Sequence, residues 1–108
     1  MAVPFENETW LIEAGDEVIQ KKALRGDSCL TPLEKLIYCV WVADYGIRNA
    51  GDLETASDLY PAFQTEACSI ARTLSLQLTL DTFSLPRAQL SSTYLERFDG
   101  ICDELRNA

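Results

Sequence analysis

The stretch from Thr31 to Gly51 constrains the fold most, because the sequence marks both ends of one long apolar helix. The Thr31 hydroxyl can cap the first turn, and Pro32 suits the first helical position, where no backbone N–H is needed. Glu34 follows three residues after the cap and completes a capping box. Gly51, or Asn49 before it, is predicted to end the helix in the left-handed conformation. A helix that is apolar on nearly all sides is typical of the centre of a bundle.

The rest of the chain divides into further segments with helical spacing. Asp52 is predicted to cap the third helix, and Thr93 is predicted to begin the last helix with a second capping box that includes Glu96. The predicted helices cover about residues 9–24, 32–48, 53–60 and 63–78, followed by one from about residue 93. Together they predict an all-α fold, in which residues 1–108 form a single helical domain, a compact bundle of four to five helices.

Residues 73–81 carry two competing patterns. Helical spacing continues through this segment from the residues before it, but four leucines also alternate with polar residues, which is strand spacing: Leu74, Leu76, Leu78 and Leu80. We favour a helix, because a lone strand would have no partner in this chain and because Leu and Gln are weak strand formers. A strand would instead pair with a second copy of the protein as an edge strand.

The acidic balance of the chain limits its partners. Seventeen acidic side chains face nine basic ones, for a net charge of −8 and an isoelectric point near 4.3. This argues against direct binding to nucleic acid, which uses Lys and Arg to displace counterions from phosphates, and against anionic membrane surfaces. It favours a basic protein partner, although the acidity could also serve only solubility. With no signal peptide and no membrane span, we predict a cytoplasmic protein.

No pattern of catalytic or metal-binding residues is present. The chain has no His, which removes the commonest general base, and no Cys-x-x-Cys pair. We therefore predict no enzyme activity, no cofactor and no metal. Cys39, Cys68 and Cys102 lie among apolar residues and are predicted to be buried free thiols, whereas Cys29 lies in a loop and is the thiol available for reaction.

Acids along the first helix and around the turn after the second form the predicted partner-binding surface. Carboxylates three or four residues apart on a helix lie about 5–6 Å from one another and can imitate a row of phosphates. A protein that binds DNA could then bind this surface instead. The predicted residues are Glu13, Asp16, Glu17, Asp44, Asp52, Glu54 and Asp58.

The segment from Leu36 to Leu53 resembles a family of small acidic helical bacterial proteins that includes a DNA mimic. In that family an apolar helix is followed by an Asn-Gly-Gly-Phe-type turn and a short further helix. Here Tyr38–Arg48 leads into Asn49-Ala50-Gly51-Asp52-Leu53, and Leu95-Glu96-Arg97-Phe98 is similar to the family's closing helix. The resemblance implies an all-helical domain, dimerisation and binding to a DNA-binding protein in place of DNA. Ala50 departs from the family's glycine, and Asp52-Leu53 stands at its aromatic position.

Two alternatives remain open at the level of sequence. A small acidic chain is also typical of an immunity-type or phage-encoded inhibitor of a specific toxin or enzyme. The turn at residues 49–53 can likewise be purely structural, as a helix C-cap with no role in recognition. The apolar residues around Trp10, Trp41 and 74–80 offer apolar area beyond one small core, so the oligomeric state is open and a homodimer is consistent with the sequence.

Overall fold

The structure, a computed structural model, describes residues 6–108. Within this range the chain forms six α-helices and a short 3-10 turn, and it contains no strand. The all-α prediction is confirmed, with six helices rather than four or five. The helices are α1 (Glu6–Arg25), α2 (Pro32–Ala50), α3 (Glu54–Leu59), α4 (Phe63–Thr73), α5 (Gln77–Phe83) and α6 (Arg87–Arg106), and the 3-10 turn at Asp27–Cys29 joins α1 to α2.

The central helix α2 has the ends that the sequence predicts. Thr31 Oγ1 accepts a hydrogen bond from the Glu34 N–H at 3.1 Å, and Glu34 Oε1 accepts one from the Thr31 N–H at 2.9 Å. Gly51 ends the helix with φ of 77°, and its N–H donates to the Ile47 carbonyl at 3.0 Å. The helix packs against α1, α3, α4 and α6, so its apolar sides are covered from several directions.

Helix α1 lies antiparallel to α2, and ion pairs join the two helices at both ends. Lys21 Nζ lies 2.8 Å from Glu34 Oε1, and Glu8 Oε1 lies 2.6 Å from Arg48 Nη1. The Lys21 ammonium and the Thr31 amide lower the pKa of Glu34 below its ordinary value. The capping box of α2 is therefore also a contact between helices.

The start of α1 and the end of α6 lie side by side. Arg106 Nη1 donates to Asn7 Oδ1 at 2.9 Å, and Arg106 Nη2 lies 3.5 Å from Glu6 Oε1. Asn7 Nδ2 also donates to Asp99 Oδ1 at 3.0 Å. These polar contacts join residues about ninety or more positions apart in the chain and connect α6 to α1.

Residues 73–81 form neither the continuous helix nor the strand considered from the sequence. Helix α4 ends at Thr73, the chain turns with Ser75 at φ of 58°, and α5 begins at Gln77. The alternation of leucines arises because the turn and the two helices direct these side chains to the same core from different elements. Leu76 is buried, and Leu74 and Leu78 are half-buried.

A side chain of α6 caps the start of α5. Glu104 accepts hydrogen bonds from the backbone N–H groups of Leu78 and Thr79 at 2.9 and 2.7 Å, and from the Thr79 hydroxyl at 2.7 Å. The first N–H groups of a helix have no partner within it, so this carboxylate satisfies two of them. The break between α4 and α5 is therefore stabilised by a residue 25 positions away, a contact that helical spacing alone does not reveal.

The start predicted for the last helix is wrong. Helix α6 begins at Arg87, directly after Pro86, and Thr93 lies in its interior, so no second capping box forms. The additional turn carries Leu90, which is fully buried, and this packing favours the longer helix. The predicted bounds of the first three helices lie within three residues of those observed.

The four thiols are free. Cys39 and Cys102 are buried, and burial raises the pKa of each to about 12, so neither is a thiolate near neutral pH. Cys68 is half-buried rather than buried, because it lies on the side of α4 near Ser84. Cys29 is exposed on the 3-10 turn, as its loop position predicts.

We expect Gly15→Ala to destabilise the protein, because a Cβ at this position would lie 2.8 Å from Trp41 Cγ where α1 crosses α2. Helix propensity alone would favour Ala by about 1 kcal/mol. The steric effect should exceed it and lower the free energy of unfolding by about 1–3 kcal/mol in urea titrations. Ala23→Gly, at an exposed position of the same helix, gives the propensity term alone. A Gly15→Ala protein more stable than the parent would contradict the close approach.

Candidate functional site

Six of the seven predicted partner-binding acids are exposed. On α1, Glu13 lies three and four residues before Asp16 and Glu17, so the three carboxylates lie close together on the surface of the helix. Before and along α3 the exposed acids are Asp52, Glu54 and Asp58. Asp52 Oδ1 accepts a hydrogen bond from the Glu54 N–H at 3.0 Å, so it supports the first turn of α3 as predicted, although Leu53 is the residue directly before the helix. We call these six residues the acidic surface.

The acidic surface is not neutralised by neighbouring bases. Within residues 6–108 none of its six carboxylates takes part in an ion pair. Six of the nine basic side chains instead contact other groups of the molecule: Lys21 pairs with Glu34, Lys22 with Asp27, Arg48 with Glu8 and Asp44, and Arg106 with Glu6, while Arg87 and Arg97 donate to Gln64 and Thr82. The negative charge is therefore available to a partner.

Four neighbouring aromatic rings lie along α2 and directly after α3, and we call them the aromatic row. The Trp41 ring is stacked between Tyr38 and Tyr45, with centroids at 6.3 and 5.5 Å, and Tyr60 forms a T-shaped pair with Tyr38, with centroids 5.4 Å apart. Tyr45 is 43% exposed and the other three rings are half-buried. The row is bordered by α1 and ends directly after α3, and these are the two helices that carry the acidic surface.

Asp44 is not part of this surface, because its side chain lies inside the bundle. It is 8% exposed, and its Oδ1 accepts hydrogen bonds from the Tyr94 hydroxyl and from Arg48 Nε, each at 2.9 Å. Arg48 also pairs with Glu8, so one network connects α1, α2 and α6. The Asp44 carboxylate therefore has two partners inside the bundle, Tyr94 and Arg48, which leaves it unavailable for recognition.

A cavity of about 240 Å³ lies beside Tyr38 and Tyr60 of the aromatic row. Its polar lining comes from Lys22, Asp27, Lys35 and Glu66, and its apolar lining comes from Leu30, Ile70 and the rings of Tyr38 and Tyr60. The residues belong to α1, the 3-10 turn, α2 and α4, together with the residues directly after the 3-10 turn and after α3. No sequence signal indicated this site, because its lining residues are spread over almost fifty positions.

Two interactions hold the polar groups of the cavity in place. The Tyr60 hydroxyl donates a short hydrogen bond to Glu66 Oε2, and this bond together with burial raises the pKa of Tyr60, so its hydroxyl remains protonated. The Lys22 ammonium lies 4.2 Å from the centroid of the Tyr38 ring and 5.3 Å from that of Tyr60, which is cation–π geometry.

The part of the chain that the structure describes contains no group of three His, Cys, Asp or Glu side chains close enough to hold a metal ion. No helix in it combines the length and the apolar character needed to cross a membrane. Comparisons with protein-family models, with curated proteins and with solved structures found no match for this chain. The family resemblance around Leu36–Leu53 therefore stays a prediction.

We expect the Asp44–Tyr94 hydrogen bond to give stability that declines in alkali. Burial, followed by the neighbouring Asp44 carboxylate, raises the pKa of Tyr94 well above its ordinary value. The unfolded chain releases this proton near pH 10 and the folded chain retains it, so the contribution is complete below about pH 10 and is lost as the pH rises further. Urea titrations between about pH 8 and pH 11 should show a smaller decline for Tyr94→Phe than for the parent.

At about pH 8, Tyr94→Phe should lower the free energy of unfolding by about 1–3 kcal/mol, because a buried carboxylate loses a donor. The same substitution in an Asp44→Asn background should have a smaller effect, which measures the coupling between the two side chains. Equal effects in both backgrounds would contradict the network.

Proposed function

We propose that this protein is an acidic interaction domain that binds a basic protein, and that the acidic surface takes the place of DNA on a DNA-binding partner. The observation that carries the proposal is the set of six exposed carboxylates on α1 and around α3, none of which is paired within residues 6–108. Most of the basic side chains are held elsewhere in the molecule, so the field over this surface stays negative.

The aromatic row can supply the contact area, and thus the binding affinity, that exposed charges alone do not provide. Exposed charges accelerate encounter and orient the partners, but they contribute little affinity because water and salt screen them. Tyr and Trp are enriched at the centres of protein interfaces, where they provide large rigid contact areas. Trp41 contacts α1 at Gly15, and Tyr38 contacts Tyr60 directly after α3, so an incoming partner can meet these rings beside the charges of both helices.

A specific inhibitor of a toxin or enzyme would use the same surface in a different way. The two functions differ in what competes for the partner: duplex DNA displaces this protein from a DNA-binding partner but not from a partner recognised only by shape. Competition by duplex DNA for the partner therefore distinguishes a DNA mimic from an inhibitor that recognises its target by shape.

Charge-neutralised variants of the acidic surface should lose their partner. We expect Glu13→Gln/Asp16→Asn/Glu17→Gln and Asp52→Asn/Glu54→Gln/Asp58→Asn each to weaken binding roughly tenfold or more, since each removes three negative charges that face the partner. The immobilised protein is used to capture its partner from an extract of the cells that produce it, at two ionic strengths. Raising the salt concentration should release the partner, and duplex DNA should compete with it.

The matched control neutralises three exposed acids on another helix, as Glu96→Gln/Asp99→Asn/Asp103→Asn on α6. It has the same net charge as the test variants, and it should bind like the parent. Equal losses in all three variants would mean that overall charge is sensed rather than this surface. Capture that is insensitive to salt, or to neutralisation of the acidic surface, would overturn the proposal.

A further inference from the structure

The cavity beside the aromatic row brings together basic side chains from two helices, in a protein whose net charge is −8. Lys22 comes from the last turns of α1 and Lys35 from the first turns of α2. The volume of about 240 Å³ is below the roughly 300 Å³ at which pockets for drug-sized molecules begin. A small molecule therefore fits the cavity better than a folded partner does.

The hydrogen bonds and ion pairs around the cavity show which charge a ligand would need. Both acids already interact with a neighbour: Lys22 Nζ forms an ion pair with Asp27 Oδ1 at 3.8 Å, and the Tyr60 hydroxyl donates to Glu66. Lys35 has no ion pair or side-chain hydrogen bond to any residue within 6–108. An anion would give the Lys35 ammonium a partner, whereas the two carboxylates of the lining, Asp27 and Glu66, already have theirs.

The apolar walls of the cavity indicate that the uncharged part of a ligand would be apolar. Leu30 is buried, Ile70 is half-buried, and the rings of Tyr38 and Tyr60 complete the apolar lining. A few polar groups set in an apolar concavity are typical of small-molecule sites, where the polar groups fix orientation and the apolar walls exclude water.

We propose that this cavity binds a small organic carboxylate with an apolar body. The carboxylate lies against Lys35 and Lys22, and the body packs between Leu30, Ile70 and the tyrosine rings. This site is separate from the acidic surface, and it takes a ligand of the opposite charge to the basic partner proposed above.

Three probes with one phenyl body separate the contributions of charge and shape. Phenylacetate carries the carboxylate, phenylacetamide is its neutral match, and phenethylamine is the cation; hexanoate tests an aliphatic body. Titrations followed by ¹⁵N–¹H NMR should show saturable shifts at the cavity residues, with a dissociation constant of about 1 mM or tighter for at least one carboxylate. Phenylacetamide should bind roughly tenfold more weakly than phenylacetate, the loss of one charge-assisted hydrogen bond.

Substitution of the unpaired lysine gives the decisive comparison. Lys35→Gln should weaken carboxylate binding roughly tenfold and leave phenylacetamide unchanged, because only the charged contact is lost. Arg72→Gln makes the same charge change at an exposed position of α4 outside the cavity lining, and it should bind like the parent.

A variant that fills the cavity tests the place of binding. Ile70→Trp should abolish the saturable shifts for carboxylate and amide alike, with circular dichroism and Tm confirming that the protein is folded. The proposal fails if neither carboxylate saturates by about 10 mM, if phenethylamine binds more tightly than phenylacetate, or if Lys35→Gln and Arg72→Gln have equal effects. None of these outcomes depends on the acidic surface or its partner.

Discussion

The structure depends on one constraint, which is that α2 is apolar on most of its sides and must be covered. Four other helices pack against it, and the buried carboxylate in its middle, Asp44, receives hydrogen bonds from both its own helix and α6. An unpaired charge at this place would destabilise the fold strongly, so Tyr94 and Arg48 belong to the architecture as much as the apolar residues do. The aromatic row is the side of α2 that the other helices leave partly open.

The sequence predicted a helix end correctly where the residues that cap it lie within a few positions of that end. The capping box at Thr31 and the glycine at 51 act through neighbours in the chain, so both could be identified from the sequence. The break before α5 could not, because Glu104 supplies its cap from another helix. The capping-box motif at Thr93 was misleading for a related reason. The same residue types also occur inside a helix, and here the burial of Leu90 favours a helix that begins before Thr93, at Arg87.

The exterior was easier to predict than the interior. Helical spacing placed the six residues of the acidic surface on the exterior, and within residues 6–108 none of these six carboxylates forms an ion pair. Asp44 was assigned to the same surface on charge alone, although the helix around it is apolar. The cavity escaped prediction entirely, because Lys22, Lys35 and Glu66 meet only once three helices are assembled. The exposed charges of this protein could therefore be predicted from its sequence, whereas the cavity could not, because it forms only when the helices pack together.

The contact between the start of α1 and the end of α6 has a topological consequence. Because Arg106 reaches both Glu6 and Asn7, a short flexible linker could join the two ends of the described chain, and the helices would keep their places. New termini could then open at the exposed turn around Gly26, which joins α1 to the 3-10 turn. The contact between α1 and α6 therefore makes the described chain suited to circular permutation at this turn.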